Sequence, residues 1–156
     1  MTTLQKTLIK PTWKAEEFHA TNSKMAAKQM MVTMKVLAKH GEEIKKEWET
    51  EMRDSMKQYF VEKNVKTPIE FAQAKAELEA NLYGSEVEVW GDEKEAHFTY
   101  KTCGMWKAME ACGVTKEQME KMSSGFESCV KNMAQEFGFQ GELKFEGEIA
   151  TITYRK

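Results

Sequence analysis

Three cysteines and three histidines are the side chains of this 156-residue sequence with the clearest capacity for nucleophilic or metal chemistry. The cysteines are Cys103, Cys112 and Cys129, and no two of them form a CxxC pair. Structural zinc sites use closely spaced ligand pairs, and the interval from Cys103 to Cys112 does not have that spacing. We therefore expect no metal site.

Cys103 has the local context that most favours a reactive thiol. It follows a segment of alternating polarity, and it is followed by Gly104 and a stretch of helix-forming composition. This pattern predicts a strand-to-helix corner. Free backbone N–H groups at a helix N-terminus favour the thiolate, which is the nucleophilic form of cysteine. Cys103 is therefore the candidate catalytic residue, and the alternative is a small buried side chain.

The other two thiols have a different setting. Cys129 lies on the apolar stripe of the next predicted helix, where a free cysteine packs as a small apolar residue. Cys112 precedes Gly113 at the end of a helix, a position that indicates a structural role. We expect Cys103 to react first with an alkylating agent, and Cys129 to react only on unfolding.

The sequence does not place a histidine beside Cys103. His97 shares the strand phase of Cys103 but precedes it by six residues, about 20 Å along an extended strand. His40 stands next to a glycine, and His19 falls on a predicted helix. A Cys–His pair contributed by separate elements is the alternative that the sequence leaves open.

The region from Val87 to Tyr154 predicts a ββααββ unit. Apolar and polar residues alternate on both sides of a polar turn at 91–94, which is typical of an antiparallel hairpin. Two helices follow, separated at Gly113, and the second has a capping box that begins at Thr115. Strands at 143–145 and 149–154 complete the unit.

The N-terminal half predicts helices. The expected order is an extended arm at 1–10, a helix at 11–20, a polar break at 21–23, a helix at 25–40, an apolar stripe at 44–60 and a helix that begins at Thr67-Pro68 and ends at Gly84. A glycine inside a helix costs only about 1 kcal/mol, so Gly41 leaves open whether its flanks form one kinked helix or two helices.

Helices followed by a ββααββ unit predict an α+β fold rather than a doubly wound parallel sheet. The N-terminal helices should pack on the C-terminal ββααββ unit, whose antiparallel sheet should have about four strands. The length fits a single domain over 1–156, with a helical layer at 1–84 and the core unit at 85–156.

The composition limits the classes of partner that we expect the protein to bind. A net charge of −2 offers no basic face for nucleic acid, and no apolar run approaches the ~20 residues of a membrane span. An odd number of cysteines without a signal-peptide pattern predicts reduced thiols and a cytoplasmic protein. We interpret the twelve methionines first as side chains that fill the core. The apolar N-terminal helices also suggest a homodimer or a place in a larger protein complex.

Four short stretches together resemble a known family. They are Lys39-His40-Gly41-Glu42-Glu43 after a methionine-rich helix, Thr67 to Ala72 (TPIEFA), the Cys103-Gly104 corner, and a cysteine in the middle of the following helix. Over roughly residues 25 to 154 the chain resembles the L-2-amino-thiazoline-4-carboxylic acid hydrolase-like proteins and, more distantly, the 4-vinyl reductase domains.

The resemblance implies an α+β fold with a ligand pocket between sheet and helices, and it implies that Cys103 and Cys129 are the positions of interest. Many such proteins carry a further cysteine in the last strand, where this chain has Ile149, Ile152 and Tyr154. That difference argues against a multi-thiol or metal site of the family type, and with it against hydrolase activity.

Three functions fit these observations. The first is a small-ligand-binding protein with a pocket between the helices at 105–109 and 119–133 and the sheet, with ligand contacts from Tyr100, Cys103, Gly104, Trp106 and Cys129. The second, implied by the resemblance, is a cysteine-dependent hydrolase of a C–N bond in a small cyclic amidine or amide. There Cys103 would attack, and the N–H groups at 104–105 would hold the oxyanion. The third is an accessory subunit of a larger enzyme complex. The sequence assigns no cofactor.

Overall fold

The computed structural model describes residues 11–146 and 149–156, with the side chain of Ser124 excepted. In these residues five helices and four strands occur in the predicted α+β order. They are α1 (Ala15–Leu37), α2 (Glu42–Glu62), α3 (Pro68–Tyr83), β1 (Glu86–Gly91), β2 (Glu95–Thr102), α4 (Gly104–Ala111), α5 (Lys116–Gln135), β3 (Gln140–Glu146) and β4 (Ile149–Arg155). The predicted arm at 1–10 and the predicted turn residues 147–148 lie outside the described residues.

The four strands form one antiparallel sheet in the order β1-β2-β4-β3. Phe98 pairs with Ile152, which in turn pairs with Leu143, so one row of apolar side chains crosses the sheet on the core side. The side chains of Phe98 and Tyr100 are buried, as the alternation predicted. Successive residues of a strand point to opposite faces, which places His97 on the other face.

The core lies between this face of the sheet and the helices. α3 packs on β1 and β2, and α5 packs on β3. Phe71 of α3 contacts the ring of Tyr154 edge-on, with 4.8 Å between the ring centroids, and stacks on Phe60 from the end of α2. These aromatic side chains are at most 2% exposed and bind α2, α3 and the sheet into one apolar cluster.

α3 has strong signals at both of its ends. The Thr67 side chain accepts a hydrogen bond from the Glu70 N–H, and the Glu70 carboxylate accepts one from the Thr67 N–H. Pro68 follows as the first helical residue, and Gly84 ends the helix with a left-handed φ of 63°. This is the capping pattern that the sequence predicted.

α1 differs from the prediction because it is continuous from Ala15 to Leu37, without a break at 21–23. The polar residues there have another use. The Asn22 amide donates to the Leu82 carbonyl at 2.7 Å, and the Ser23 hydroxyl donates to the Tyr83 carbonyl at 3.2 Å. Carbonyls at a helix C-terminus have no partner within the helix, so α1 satisfies the end of α3.

The structure answers the question that Gly41 left open. α1 ends at Leu37 and α2 begins at Glu42, with Gly41 at a φ of 89° between them. The two segments are therefore separate helices. α1 packs chiefly against α4 in a second apolar cluster that contains Ala27, Met109 and Met119.

Candidate functional site

Cys103 occupies the predicted corner. β2 ends at Thr102, Cys103 is the extended residue that precedes α4, and the helix begins at Gly104. The Cys103 side chain makes no capping hydrogen bond to α4, although the nearby backbone N–H groups of Trp106 and Met105 favour its thiolate. The side chain is partly buried and packs against the main core.

Gly104 is required by the close approach of two backbones at this corner. A Cβ on Gly104 would stand 1.8 Å from the Tyr83 carbonyl oxygen, which is backbone and cannot swing aside. The Gly104 N–H donates to the Ser85 hydroxyl at 3.0 Å. The end of α3 and the start of α4 are thus in direct contact, and this contact positions Cys103 beside α3.

An ion pair lies under α3, close to this corner. Lys75 Nζ is 3.6 Å from Glu79 Oε1, and each side chain is only 14% exposed. Lys75 Nζ also lies 5.7 Å from the centroid of the Phe98 ring, over the sheet. Charged side chains are rarely buried to this extent, because leaving water is costly unless a partner compensates.

Glu79 is the centre of a group of polar side chains. The Ser85 hydroxyl donates to Glu79 Oε2 at 3.3 Å. The charge of Glu79 contributes to a raised pKa at Tyr83, Tyr100, Cys103 and Tyr154, which places all four within its electrostatic reach. We call Lys75, Glu79, Tyr100, Cys103 and Tyr154 the buried polar cluster.

The protonation states of this cluster follow from burial. Desolvation is the largest cause of the raised pKa values of Tyr100 and Tyr154, so both hydroxyls stay neutral donors. Burial likewise raises the pKa of the Cys103 thiol, and Glu79 adds to the effect, whereas the Trp106 N–H, the Met105 N–H and Lys75 lower it. The net direction is upward, so Cys103 is a neutral thiol near pH 7.

Two of the predicted ligand contacts, Tyr100 and Cys103, come together in the buried polar cluster. Gly104 has no side chain to contact a ligand, and its backbone N–H donates to the Ser85 hydroxyl beside the cluster. Trp106 contributes only its N–H, because its side chain packs in the α1–α4 apolar cluster rather than at the mouth of a pocket. Cys129 is on α5, and its thiolate, where it forms, adds to the burial that raises the pKa of the Tyr154 hydroxyl.

The predicted burial of Cys129 is wrong, since its side chain is exposed. α5 turns Val130, Met133 and Ala134 toward the sheet, and this leaves Cys129 at the margin of the apolar stripe. The expectation that Cys129 reacts only on unfolding loses its basis.

The predicted pocket between α4, α5 and the sheet is also wrong in position, because α4 packs against α1. Two concavities in the described part of the chain lie elsewhere. One of about 360 Å³ is lined by Arg53, Asn132, Gln135 and Glu136, and one of about 220 Å³ is lined by Lys63, Val65, Glu70, Gln73, Ala74 and Glu77. Among the described residues, no three His, Cys, Asp or Glu side chains are grouped so that they could hold a metal ion.

The oxyanion site expected at 104–105 is occupied in part, because the Gly104 N–H is hydrogen-bonded to the Ser85 hydroxyl at 3.0 Å. His97 faces away from Cys103, with Nδ1 3.1 Å from Thr153 Oγ1 and its ring stacked on Trp90.

Lys75, Glu79, Ser85 and Tyr154 were not identified from the sequence. A signal for the first two was present, because the apolar face of α3 recurs at positions 68, 71, 72, 75 and 79. Two of these core positions carry charges. A charge at a core position of a helical stripe indicates a buried polar site.

Comparison with known proteins adds no assignment: the sequence matches no protein-family model and no curated protein. The resemblance to the amino-thiazoline carboxylic acid hydrolase-like proteins therefore stays a prediction. Within the described ranges, every helix is too short or too polar to cross a membrane.

Proposed function

We propose that the protein binds a small polar molecule at the buried polar cluster, with Lys75 and Glu79 as its principal contacts. The observation that carries the proposal is the Lys75–Glu79 pair itself, which is 14% exposed on the sheet side of α3. Groups with perturbed pKa values surround it, and such groups concentrate at functional sites.

A contribution to stability does not explain why an ion pair occupies this position. Replacing a buried ion pair with apolar side chains of similar volume is often neutral or stabilising by about 1–4 kcal/mol. The face of α3 around the pair is otherwise apolar, with Phe71 and Ala72 fully buried. Two leucine-sized side chains would suit that position, so the retention of charges supports a binding role.

The hydrogen-bonding inventory also favours a ligand. Lys75, Tyr100, Tyr154, Ser85 and Cys103 all have protons to donate, while Glu79 is the one carboxylate among them. Donors therefore outnumber carboxylates, while every fully buried side-chain nitrogen or oxygen of the cluster has a hydrogen-bond partner. A molecule with carbonyl, carboxylate or ring-nitrogen acceptors would bind by exchanging its own acceptors for some of these partners.

The route to the cluster lies between α3 and α5. α3 lies on β1 and β2 while α5 lies on β3, and the pKa of Tyr154, raised chiefly by burial, is raised further by an ionised Cys129 and by Glu79. The concavities described above are lined by other residues, so binding at the cluster requires the helices that cover it to rearrange. Cys129 would then stand at the entrance.

Binding is favoured over the cysteine-dependent hydrolase for two reasons. The raised pKa of Cys103 keeps its thiol protonated, whereas a nucleophilic cysteine needs a lowered pKa or an adjacent base. One of the two N–H groups expected to hold an oxyanion, that of Gly104, is already hydrogen-bonded to Ser85.

The test is an NMR titration of the ¹⁵N-labelled protein with a set of small carboxylates, lactams and cyclic amidines. We expect at least one probe to cause saturable shifts in α3 and β2, and the Lys75→Met/Glu79→Leu variant to lose them. The Lys63–Glu77 pair is 41% and 52% exposed, so Lys63→Met/Glu77→Leu is the matched control and should bind normally. Shifts that persist in the first variant, or no saturable shift with any probe, would contradict the proposal.

A second candidate function, an accessory subunit of a larger complex, is favoured by a separate observation. Nine of the thirteen exposed large apolar side chains in the described residues lie on α1 or α2: Phe18, Met25, Met31, Val32, Val36, Ile44, Met52, Met56 and Val61. Apolar surface of this extent often marks a protein interface. Size-exclusion of the native protein from cell extract should then show a mass well above one chain, which Val32→Lys/Met56→Lys should reduce. Elution of the wild type as a single chain would exclude this role.

A further inference from the structure

We propose that the concavity between α2 and α5 is a separate binding site for a small oxyanion, with Arg53 as its main contact. This site goes beyond the proposed function and shares no residue with the buried polar cluster. The concavity measures about 360 Å³ and is lined by Arg53, Asn132, Gln135 and Glu136. Small-molecule sites usually measure about 300–1,000 Å³, so the ligand should be small.

The main evidence is an unsatisfied nitrogen. Arg53 Nε is buried and has no hydrogen-bond partner, and no other side-chain nitrogen or oxygen within the described ranges is in that state. Its nearest carboxylate oxygen, Glu136 Oε1, is 3.6 Å away, beyond hydrogen-bond distance. Buried donors without a partner are rare in native proteins, and each needs an explanation.

Glu136 is held away from Arg53 by another side chain. Lys57, one turn after Arg53 on α2, donates to Glu136 Oε2 at 2.7 Å. Lys57 and Arg53 together lower the pKa of Glu136, so the carboxylate stays ionised and engaged with Lys57. Arg53 is left with a donor that points to no acceptor.

The sequence has only two arginines, and the other one is satisfied. Arg155 donates through Nε to Glu95 and through Nη1 to Glu142, the latter at 2.9 Å. Arg53 makes a single, long side-chain hydrogen bond, from Nη2 to Thr50 Oγ1 at 3.5 Å. Arg53 is therefore the arginine whose donor groups are left to bind a ligand.

The charged and amide side chains around Arg53 favour an anionic ligand. Two cations, Arg53 and Lys57, face one carboxylate, Glu136, so the local charge is positive. Asn132 and Gln135 line the same concavity and can donate through their amide groups. A guanidinium binds carboxylate or phosphate oxygens through two parallel hydrogen bonds, and an oxyanion would take the free Nε.

The test is a titration of the ¹⁵N-labelled full chain with inorganic phosphate and with acetate, each against sodium chloride at equal ionic strength. We expect saturable shifts confined to α2 and α5 with at least one of the two anions; the one that binds more tightly identifies a phosphate or a carboxylate ligand. Arg53→Gln should raise the Kd at least tenfold, and Arg155→Gln should leave it unchanged.

Two further variants separate this site from general effects. Arg53→Lys keeps the charge and the fold but lacks the planar pair of donors, so it should weaken binding to an intermediate extent. Glu79→Gln should leave anion binding unaltered, which makes a failure here distinguishable from a failure of the proposed function. Absence of saturable shifts with both anions, or an unchanged Kd in Arg53→Gln, would overturn the proposal.

Discussion

α2 and α3 are neighbours in the chain and depart from ordinary burial in opposite directions. On α3, the charged side chains of Lys75 and Glu79 are almost buried. On α2, Met52 and Val61 are 44% and 57% exposed, and Phe60 is the one residue of this helix with a buried side chain. One helix therefore has charges where apolar groups are expected, and the other has apolar groups where charges are expected.

The difference follows from what each helix contacts. α3 lies directly on the sheet, so its inner face is covered whatever side chains it carries. α2 reaches the main core at its C-terminal end, through Tyr59 and Phe60, while the rest of its apolar stripe has little packed against it. Positions that break local rules are where function is expected, because the fold itself gains nothing from them. The two helices thus correspond to the two functions proposed above, a small ligand under α3 and a protein partner on α2.

The largest expected effect is the difference in unfolding free energy between a variant on α3 and a variant on α2. Phe71→Ala on α3 should lower the free energy of unfolding by about 3–5 kcal/mol, since Phe71 is 1% exposed and contacts four other rings. Met52→Ala on α2 should change it by no more than about 0.5 kcal/mol, as is usual for an exposed position. Urea denaturation of both variants checks this, and similar losses would mean that α2 is packed as tightly as α3.

The next effect concerns the thiols beside these helices. Iodoacetamide at pH 8 should modify the exposed Cys129 at least about tenfold faster than Cys103, whose pKa is raised by burial and by Glu79. Glu79→Gln should speed the reaction of Cys103, because it removes one cause of the raised pKa. Peptide mapping over a time course measures both rates. Faster native labelling of Cys103 than of Cys129 would contradict the assigned protonation state.

A smaller effect should appear at alkaline pH. The pKa values of Cys103, Tyr100 and Tyr154 are higher in the folded protein than their ordinary values of 9.0 for cysteine and 10.0 for tyrosine. The folded state therefore keeps protons that the unfolded chain loses, so stability is complete below about pH 8 and falls as the pH rises past these values. Tyr154→Phe should flatten the decline above pH 10. Equal slopes for wild type and variant in urea titrations would show that Tyr154 does not contribute.

Much of the fold was predictable because its signals are local. The Thr67–Glu70 capping box, the glycine at 84 and the alternation along β2 depend on neighbouring residues. The structure confirms the first two and the burial of Phe98 and Tyr100, whereas Thr99 between them is buried as well. The polar triplet at 21–23 misled the prediction of α1 because Asn22 and Ser23 hydrogen-bond to residues about 60 positions away. No local pattern carries that information.

The site was less predictable for the same reason. The corner position of Cys103 is local and was identified, but its environment is set by α3, whose contribution depends on the packing of helix on sheet. The exposure of Cys129 depends on which side of α5 meets β3. For the rest of the buried polar cluster beyond Tyr100 and Cys103, the sequence signal was the pair of charges at positions 75 and 79, which fall on an apolar stripe.

The most direct test of the central claim is the stability of the Lys75→Met/Glu79→Leu variant. If the pair is retained for binding, exchanging both charges for apolar side chains should leave the free energy of unfolding unchanged or raise it by about 1–4 kcal/mol. Either single exchange should lower it, because the remaining charge is left without its partner. A double variant that is less stable than wild type by more than about 2 kcal/mol would show that the pair is a structural element, and would contradict a binding role for the cluster.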